Sequence, residues 1–290
     1  MFDILVVMTL FKGGVYGLLA SGFALIFGMA HVINMAHTAF FMLAAYGMYY
    51  FMLARGWGAW QAVVVTIVAV TLLGVLAYRF LLNRVRHHPV AILLITMALA
   101  MVFQEIMVLF FGNIFLGAPS IMPGTTTILG VTIYNQNLLS LAVMAAVVII
   151  LWLVLSRSKL GLAIRTTAQD AEIANVMGIN ISRTLMLTMG IATALAAVAG
   201  VVVSPLWTIY PHMWQNPLMM VMVVVILGGL GNIKGSFVGA FIIALVENLV
   251  VSFLPSGAYL KTVFVLLVMV IILVVRPGGL FGIVFEEERL

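Results

Sequence analysis

The sequence of 290 residues contains no cysteine and few charged side chains. The lack of cysteine excludes disulfide bonds, thiol catalysis and metal sites built on thiolates. Asp, Glu, Lys and Arg together make up only 7% of the residues, whereas 65% are hydrophobic. A soluble domain needs about 25% charged residues to cover its surface. We therefore expect a polytopic membrane protein whose solvent is lipid.

Long uncharged runs indicate membrane-spanning helices, and residues 13–54 form one such run of 42 residues. A hydrocarbon core of about 30 Å needs about 20 apolar residues per helix, so the chain has room for roughly eight or nine crossings. No polar stretch is long enough to form a separate soluble domain. The sequence thus predicts a single all-α membrane domain over residues 1–290, with broken or re-entrant segments.

Basic residues predict the orientation, because cytoplasmic loops collect Lys and Arg. Two basic segments, 79–86 and 157–183, are expected inside, and the uncharged connector 112–137 between them is expected outside. Four apolar runs after residue 183 return the C-terminus to the inside. The net charge of +5 is small and lies in short loops, so it does not indicate a nucleic-acid-binding surface.

Polar residues interrupt the first apolar region in the sequence GMAHVINMAHTAF. Asn34 and His37 lie three residues apart and would share one face of a helix. They predict either the polar lining of a translocation path or an ordinary helix end at the membrane surface. We expect no metal at His31 and His37, because no carboxylate or cysteine lies nearby to complete a site.

A second interruption, LGGLGNIKGSFVGA at 227–240, is rich in glycine. Three of its glycines recur every four residues, which predicts a small-residue stripe where two membrane helices pack closely. Such a stripe should accept alanine better than leucine. The order Lys-Gly-Ser is not that of a phosphate-binding loop, which needs Gly-Lys-Ser/Thr. The glycines assigned to this turn and stripe are Gly228, Gly229, Gly231, Gly235 and Gly239.

Two carboxylates, Glu105 and Glu247, fall within predicted spans. An ionised group in hydrocarbon is costly, so each is a candidate for the translocation path, as a proton relay or as a partner for a substrate amine. The alternative is a wet environment: Glu105 follows a glutamine, and Glu247 lies within two turns of an outer loop. The sequence leaves both interpretations open.

The segment 157–183 mixes charged with small apolar residues. Its apolar residues recur at helical spacing, while Arg165, Asp170 and Glu172 point elsewhere, and Gly178 is placed to end the helix. A polar cytoplasmic helix of this length suits a docking surface for a soluble partner. An amphipathic helix lying on lipid is the alternative, but its polar face would favour Lys and Arg over acidic residues.

Four stretches together resemble a known family. They are INMAH at 33–37, GLAIRTTAQDAEIANVMGIN at 161–180, LGGLGNIKGSFVGA at 227–240 and RPGGLFG at 276–282. Their order and spacing are similar to those of permease subunits of bacterial and archaeal ABC importers for branched-chain amino acids, of the LivH type. Relatives of this type also serve urea, short amides and aromatic acids.

The resemblance implies a partner set and a location. The permease would pair with a homologous second permease subunit as a heterodimer, with two cytoplasmic ATPase subunits and with an external solute-binding protein. The segment 157–183 would be the ATPase-coupling segment, and ATP and Mg²⁺ would bind the ATPases, so this chain would be no enzyme and bind no cofactor. It would lie in the cell (inner) membrane with a cytoplasmic C-terminus.

Two other classes of transport protein remain in view. A passive channel for a small neutral solute would explain the uncharged helices but not the charged segment 157–183. An ion-coupled secondary transporter would give the two intramembrane carboxylates a direct role. Partners that carry a nucleotide-binding motif would favour the importer, whereas a chain that transports alone would favour either rival.

Overall fold

A computed structural model describes residues 2–86, 88–128 and 131–282. Its helices are α1 (Phe2–Ala30), α2 (His37–Tyr49), α3 (Ala59–Phe80), α4 (Pro89–Phe111), α5 (Asn135–Arg157), α6 (Lys159–Gln169), α7 (Ala171–Val176), α8 (Ile181–Val203), α9 (Gln215–Gly228), α10 (Ile233–Phe253) and α11 (Gly257–Val275). Strands β1 (Thr125–Ile128) and β2 (Val131–Tyr134) form an antiparallel hairpin.

Seven helices in the described part of the chain are long and apolar enough to cross a membrane: α1, α3, α4, α5, α8, α10 and α11. Two shorter helices complete the membrane domain. α9 is a mainly apolar helix of 14 residues, and the 13 residues of α2 continue into a π-helical turn, Tyr50–Ala54. The prediction of an all-α, multi-pass membrane fold with broken segments is therefore confirmed.

The helices form two similar groups, one around α1 and one around α8, whose chains run in opposite directions. α1 packs along α10 and α8 packs along α3, while α1 and α8 contact each other at the centre. α1 and α8 are antiparallel, since Met29 meets Thr188 and Gly22 lies beside Ala192. A short helix follows each after a break: α2 follows α1, and α9 follows α8. This is the pattern of an inverted repeat, which places both breaks next to the core.

The first break, residues 31–36, is re-entrant. The His37 ring, at the start of α2, donates from Nε2 to the carbonyl oxygen of Leu19 at 2.9 Å. Leu19 precedes Ala30, the last residue of α1, by about 16 Å at 1.5 Å per residue. The chain therefore turns back along α1 before α2 begins near the middle of the membrane. Three helices precede the basic loop at 79–86, and the second of them starts inside the membrane.

Burial separates a central layer from a lipid-facing one. Within the span windows, 83% of α1 and 72% of α8 are buried, whereas the value for α11 is 6%. Trp214 and four aromatic or aliphatic residues of α1 and α2 are among the largest fully buried side chains: Leu18, Leu19, Phe40 and Phe41. Because α1, α2, α8 and α9 are among the most buried helices, the functional residues on them are shielded from lipid.

The connector 112–137 carries the β-hairpin and is tied to the loop between α8 and α9. Leu116 and Ile209 form a short antiparallel bridge between the two segments. The Gln136 side chain accepts from the backbone N–H groups of Ile121 and Met122 at 3.0 and 3.2 Å. The two connectors therefore form one ordered surface at the end of the molecule opposite the basic loops.

Candidate functional site

Asn34 organises the re-entrant break. Its side-chain oxygen accepts from the backbone N–H of Ala36 at 3.1 Å, and Thr96 of α4 accepts from the N–H of Met35 at 3.1 Å. These bonds satisfy backbone groups that have no helical partner, as the membrane interior requires. The other end of the Asn34 amide lies 3.5 Å from the sulfur of Met189. Asn34 is thus both a turn-forming residue and part of a cavity lining.

His37 lies deeper and is fully buried. Its ring packs edge-on against Phe23 and against the backbone of Gly22, where a Cβ atom would come within 2.8 Å of the ring. Since Nε2 donates to a carbonyl oxygen, the Nδ1 nitrogen carries no proton in the neutral ring; it has no hydrogen-bond partner among the described residues. The sequence predicted that Asn34 and His37 share a face, but only Asn34 lines a described cavity.

That cavity has a volume of about 320 Å³ and opens at the basic end of the molecule. Its inner part is formed by the end of α1, the re-entrant break and the start of α8. Its mouth is formed by the loop after α3, which contributes Arg86, and by α7, which contributes Glu172 and Asn175. Asn34 and Glu172, predicted separately as path and coupling residues, therefore line one cavity.

The segment 157–183 is not the single helix that the sequence predicted. Asp170 is extended (φ −156°) and separates α6 from α7, and its carboxylate accepts from the N–H groups of Glu172 and Ile173, both at 2.9 Å. The single-helix prediction was wrong because Asp170 caps a new helix instead of continuing the first. Gly178 ends α7 with φ +85°, a left-handed conformation that favours glycine.

A small group of buried apolar side chains holds the segment 157–183 against the membrane helices. Ile164 of α6 is buried in a cluster with Leu25 and Met29 of α1, and Ala174 of α7 is fully buried. Arg165, Asp170 and Glu172 are exposed, with Glu172 at the mouth of the cavity. So are large apolar side chains of α7 and its end: Ile173, Val176 and Met177 are 56%, 88% and 73% exposed. An outward surface that mixes charged and large apolar residues is typical of a protein interface.

Two of the glycine motifs meet at the basic end. The backbone N–H of Leu280 donates to the carbonyl of Leu227 at 2.8 Å, so the RPGGLFG segment docks on the turn between α9 and α10. Asn232 joins both: its oxygen accepts from Gly235 N–H at 2.9 Å, and its amide donates to the carbonyl of Phe281 at 2.8 Å. This contact, between residues 49 positions apart, was not visible in the sequence.

The glycine stripe is shorter than predicted. Gly231 precedes α10 and lies in the turn with φ +81°, where it contacts Gly28 of α1; only Gly235 and Gly239 lie on the helix. A Cβ atom on Gly235 would collide with the carbonyl oxygen of Gly228, so the backbones of α9 and α10 touch there. Alanine at position 235 should therefore already be costly, and the larger leucine, as the sequence predicts, more so. Gly229, with φ +103°, faces the C-terminal segment at Gly282.

Glu247 is buried and held by three groups. Its Oε1 atom lies 2.9 Å from the Lys261 ammonium and 3.2 Å from the Lys12 ammonium, and its Oε2 atom accepts from the Tyr16 hydroxyl at 2.9 Å. These partners belong to α1 and α11, so the carboxylate ties α10 to both neighbours. Tyr16 also lines a second cavity, of about 370 Å³, next to the loop between α8 and α9.

Glu105 is exposed on α4. Its carboxylate accepts from the Gln104 amide at 3.0 Å, and the Gln104 oxygen accepts from the Trp214 indole at 2.9 Å. Glu105 precedes the end of α4 by six residues, or about 9 Å. A carboxylate on the outside of a spanning helix at this depth is costly in lipid. The surface around it therefore requires a protein or water-filled neighbour.

The four residues predicted for a translocation path do not form one site. Asn34 lies at the basic-end cavity, His37 in the core, and Glu105 and Glu247 toward the opposite end on different helices. Sequence reasoning missed the partners of Glu247, although Lys12 and Lys261 are single cations in apolar runs and were a readable signal. No cluster of three potential metal ligands occurs among residues 2–86, 88–128 and 131–282.

Comparison with known proteins identifies the family. A family model described as "Branched-chain amino acid transport system / permease component" matches residues 5–273. The chain belongs to this family. It is a family of transport permeases and not of enzymes, which confirms the resemblance that the four sequence motifs predicted.

Individual relatives cover nearly the whole permease. It is 28% identical to the high-affinity branched-chain amino acid transport system permease protein LivH of Escherichia coli (strain K12), over 93% of this chain and 92% of that one. It is 26% identical to the permease protein BraD of Pseudomonas aeruginosa over the same shares. A chain of PsaBC from Streptococcus pneumoniae, solved in complex with Fab, matches with a TM-score of 0.52 at 11% identity, covering 92% of this chain and 90% of that one. That last likeness concerns the fold alone.

Proposed function

We propose that this permease is the membrane subunit of an ATP-driven importer for branched-chain or related amino acids. The observation that carries the proposal is the outward surface of α6 and α7, where Ile173, Val176 and Met177 are exposed beside acidic and basic residues. Exposing large apolar side chains to water is unfavourable, so we expect another protein to cover this surface. A pair of cytoplasmic ATPase subunits, which bind and hydrolyse the ATP, fits it.

The basic end is then the cytoplasmic one, together with the C-terminal segment. Lys and Arg concentrate in the loops there, in agreement with the rule for cytoplasmic loops. A cysteine introduced at Ser158 into this cysteine-free chain should react with a membrane-impermeant reagent only from the cytoplasm, and one at Thr126 only from outside. Labelling of Ser158 from outside would contradict both the orientation and the position of the ATPases.

Movement of the ATPases reaches the membrane through two contacts. Ile164 packs on Leu25 and Met29 of α1, and α7 forms one wall of the basic-end cavity. A shift of α6 and α7 therefore acts on the end of α1 and on the re-entrant break. Because packed elements move between discrete arrangements, such a shift can open the path to one side or the other.

The exposed carboxylate on α4 supports a second permease subunit. Glu105 needs a neighbour other than lipid, and a homologous subunit at this face would place it at a shared, water-filled path. We propose that Glu105 and Asn34 face the solute at successive depths. The external solute-binding protein would dock on the ordered surface formed by the connector 112–137 and the loop between α8 and α9.

Transport by the reconstituted system tests the proposal. The permease, with the ATPases that co-purify with it and a second permease subunit, is placed in proteoliposomes with a solute-binding protein. We expect ATP-dependent uptake of radiolabelled leucine that excess isoleucine or valine inhibits. Uptake competed only by urea, short amides or aromatic acids would assign the alternative substrates. Uptake by the permease alone, without ATP, would instead identify a channel or an ion-coupled transporter.

A further inference from the structure

Two lysines share one buried carboxylate near the end of the molecule opposite the basic loops. The ammonium groups of Lys12 and Lys261 both approach Oε1 of Glu247, at 3.2 and 2.9 Å, and the Tyr16 hydroxyl donates to Oε2 without adding charge. This cluster therefore carries one positive charge in excess. We propose that it binds the phosphate group of an anionic phospholipid in the leaflet on this side of the membrane.

The three helices that form the cluster carry no other acidic residue close to it in the chain. Glu247 is the sole acidic residue of α10, and α11 has none. Asp3 of α1 precedes Lys12 by nine residues, or about 14 Å along the helix axis. An excess charge at the edge of hydrocarbon is costly, so the cluster attracts an anion from outside the chain.

The lysines have hydrogen-bond donors to spare. An ammonium group has three N–H donors, and Glu247 accepts one from each lysine. Neither lysine has another hydrogen-bond partner within residues 2–86, 88–128 and 131–282. Their side chains are 22% and 26% exposed, so the remaining donors reach the outside of the bundle. Two ammonium groups that converge on one oxygen suit the several oxygens of a single phosphate.

The depth of the cluster matches the headgroup level. Lys261 follows the first residue of α11 by four residues, and Glu247 precedes the last residue of α10 by six, or about 6 and 9 Å from those helix ends. Tyr259, 88% exposed in the first turn of α11, is a residue type that marks the membrane–water interface. Long lysine side chains at this depth extend toward the headgroups.

The exposed face of α11 favours lipid over a protein neighbour. The contact proposed for the second permease subunit lies at Glu105 of α4, which packs against α2, whereas α11 packs against α9 and α10. A phospholipid is therefore a better occupant of the cluster than an acidic residue of that subunit. The bound lipid would act on the translocation path, since α1 packs along α10 and leads to the re-entrant break.

Lipid retention by the full-length chain tests the site. Nanodiscs of phosphatidylcholine with increasing phosphatidylglycerol supply the lipids, and mass spectrometry of the released protein counts those that stay bound. We expect the parent to prefer phosphatidylglycerol about 5-fold, as one excess charge near the membrane surface predicts. Lys261→Met removes the excess charge and should abolish the preference, whereas Glu247→Gln raises the excess to two charges and should increase it about 5-fold further. The matched control Lys234→Met, an exposed lysine at the opposite end of α10, should keep the parent's preference.

The opposite effects of the two variants are decisive, because both weaken the same ion cluster and a purely structural role predicts the same direction for both. If Glu247→Gln does not assemble, Lys12→Met supplies a second neutral cluster and must lose the preference as Lys261→Met does. An unchanged preference in either lysine variant, or a reduced one in Glu247→Gln, would overturn the proposal.

Two further measurements exclude other occupants. Radiolabelled inorganic phosphate that binds in pure phosphatidylcholine discs, with the same response to the variants, would assign a soluble anion and overturn the lipid. A preference that disappears when the second permease subunit is added would show that this subunit covers the lysines, with the same consequence. Uptake is not measured in any of these experiments, so their result is independent of the proposed function.

Discussion

Glu247 offers the sharpest test of how this membrane domain is held together. One carboxylate, 1% exposed, faces two ammonium groups whose side chains are 22% and 26% exposed, at 3.2 and 2.9 Å for Lys12 and Lys261 respectively. Glu247→Gln removes the charge and keeps the size. The hydroxyl of Tyr16 retains a partner, but the two lysines then face each other across a site that excludes most water.

The magnitude follows from the number of partners that are lost. Removing one member of a buried ion pair costs about 3–5 kcal/mol, and partial exposure of the lysines places Glu247→Gln near the lower limit. Lys12→Met or Lys261→Met leaves the carboxylate with one lysine and with Tyr16, so each should cost only about 1–2 kcal/mol. The triple variant Lys12→Met, Glu247→Leu, Lys261→Met should regain much of the stability, because no uncompensated charge remains.

Thermal unfolding of the four variants in nanodiscs measures this order, and uptake by the reconstituted system measures function. We expect Glu247→Gln to be the least stable, each lysine variant intermediate, and the triple variant close to the parent in both stability and transport. If the triple variant folds normally but transports nothing, the carboxylate belongs to the translocation path and the structural reasoning is wrong.

Two further predictions concern the basic end. Gly235→Ala should impair assembly, because the added Cβ atom meets the carbonyl oxygen of Gly228 and overpacking costs about 1–3 kcal/mol or more. In the matched control Gly190→Ala, the added Cβ atom meets only the end of a valine side chain. Equal yields of the two variants in size-exclusion chromatography would contradict the close approach at Gly235. Asp170→Ala should loosen α7 by about 1 kcal/mol through loss of its cap, whereas Glu172→Lys should leave the helix intact but reduce coupled ATP hydrolysis. Hydrogen exchange separates the two, and similar protection of α7 in both variants would refute the capping role.

The sequence was sufficient for the class of fold because lipid imposes simple rules. The lengths of the apolar runs predicted where most spans lie. The β-hairpin and the short helices α2 and α9 lie outside the seven full-length spans. The number of complete crossings was less predictable. α2 begins inside the membrane because Asn34, Thr96 and Leu19 supply partners for the re-entrant segment and for His37, and these partners are far apart in the chain.

The candidate site was predicted in pieces but not as an arrangement. Local rules identified the turn-forming Asn34 and the left-handed Gly178, yet the break at Asp170 was missed because a capping carboxylate and a helical surface carboxylate look alike in sequence. The cavity that joins Asn34 to Glu172 depends on the packing of α1, α4, α7 and α8. No periodicity within one helix can reveal such a contact.

By itself, the sequence determined that this chain lies in lipid, which loops carry its positive charge and which family it belongs to, because composition and local motifs respond directly to solvent and backbone geometry. Only the tertiary structure decided that Glu247 is bound by two lysines, that the C-terminal motif docks on the glycine turn, and that Arg86 of a loop and Glu172 of α7 line the same cavity. These features join residues brought together by helix packing, and the packing is set by shape across the whole bundle.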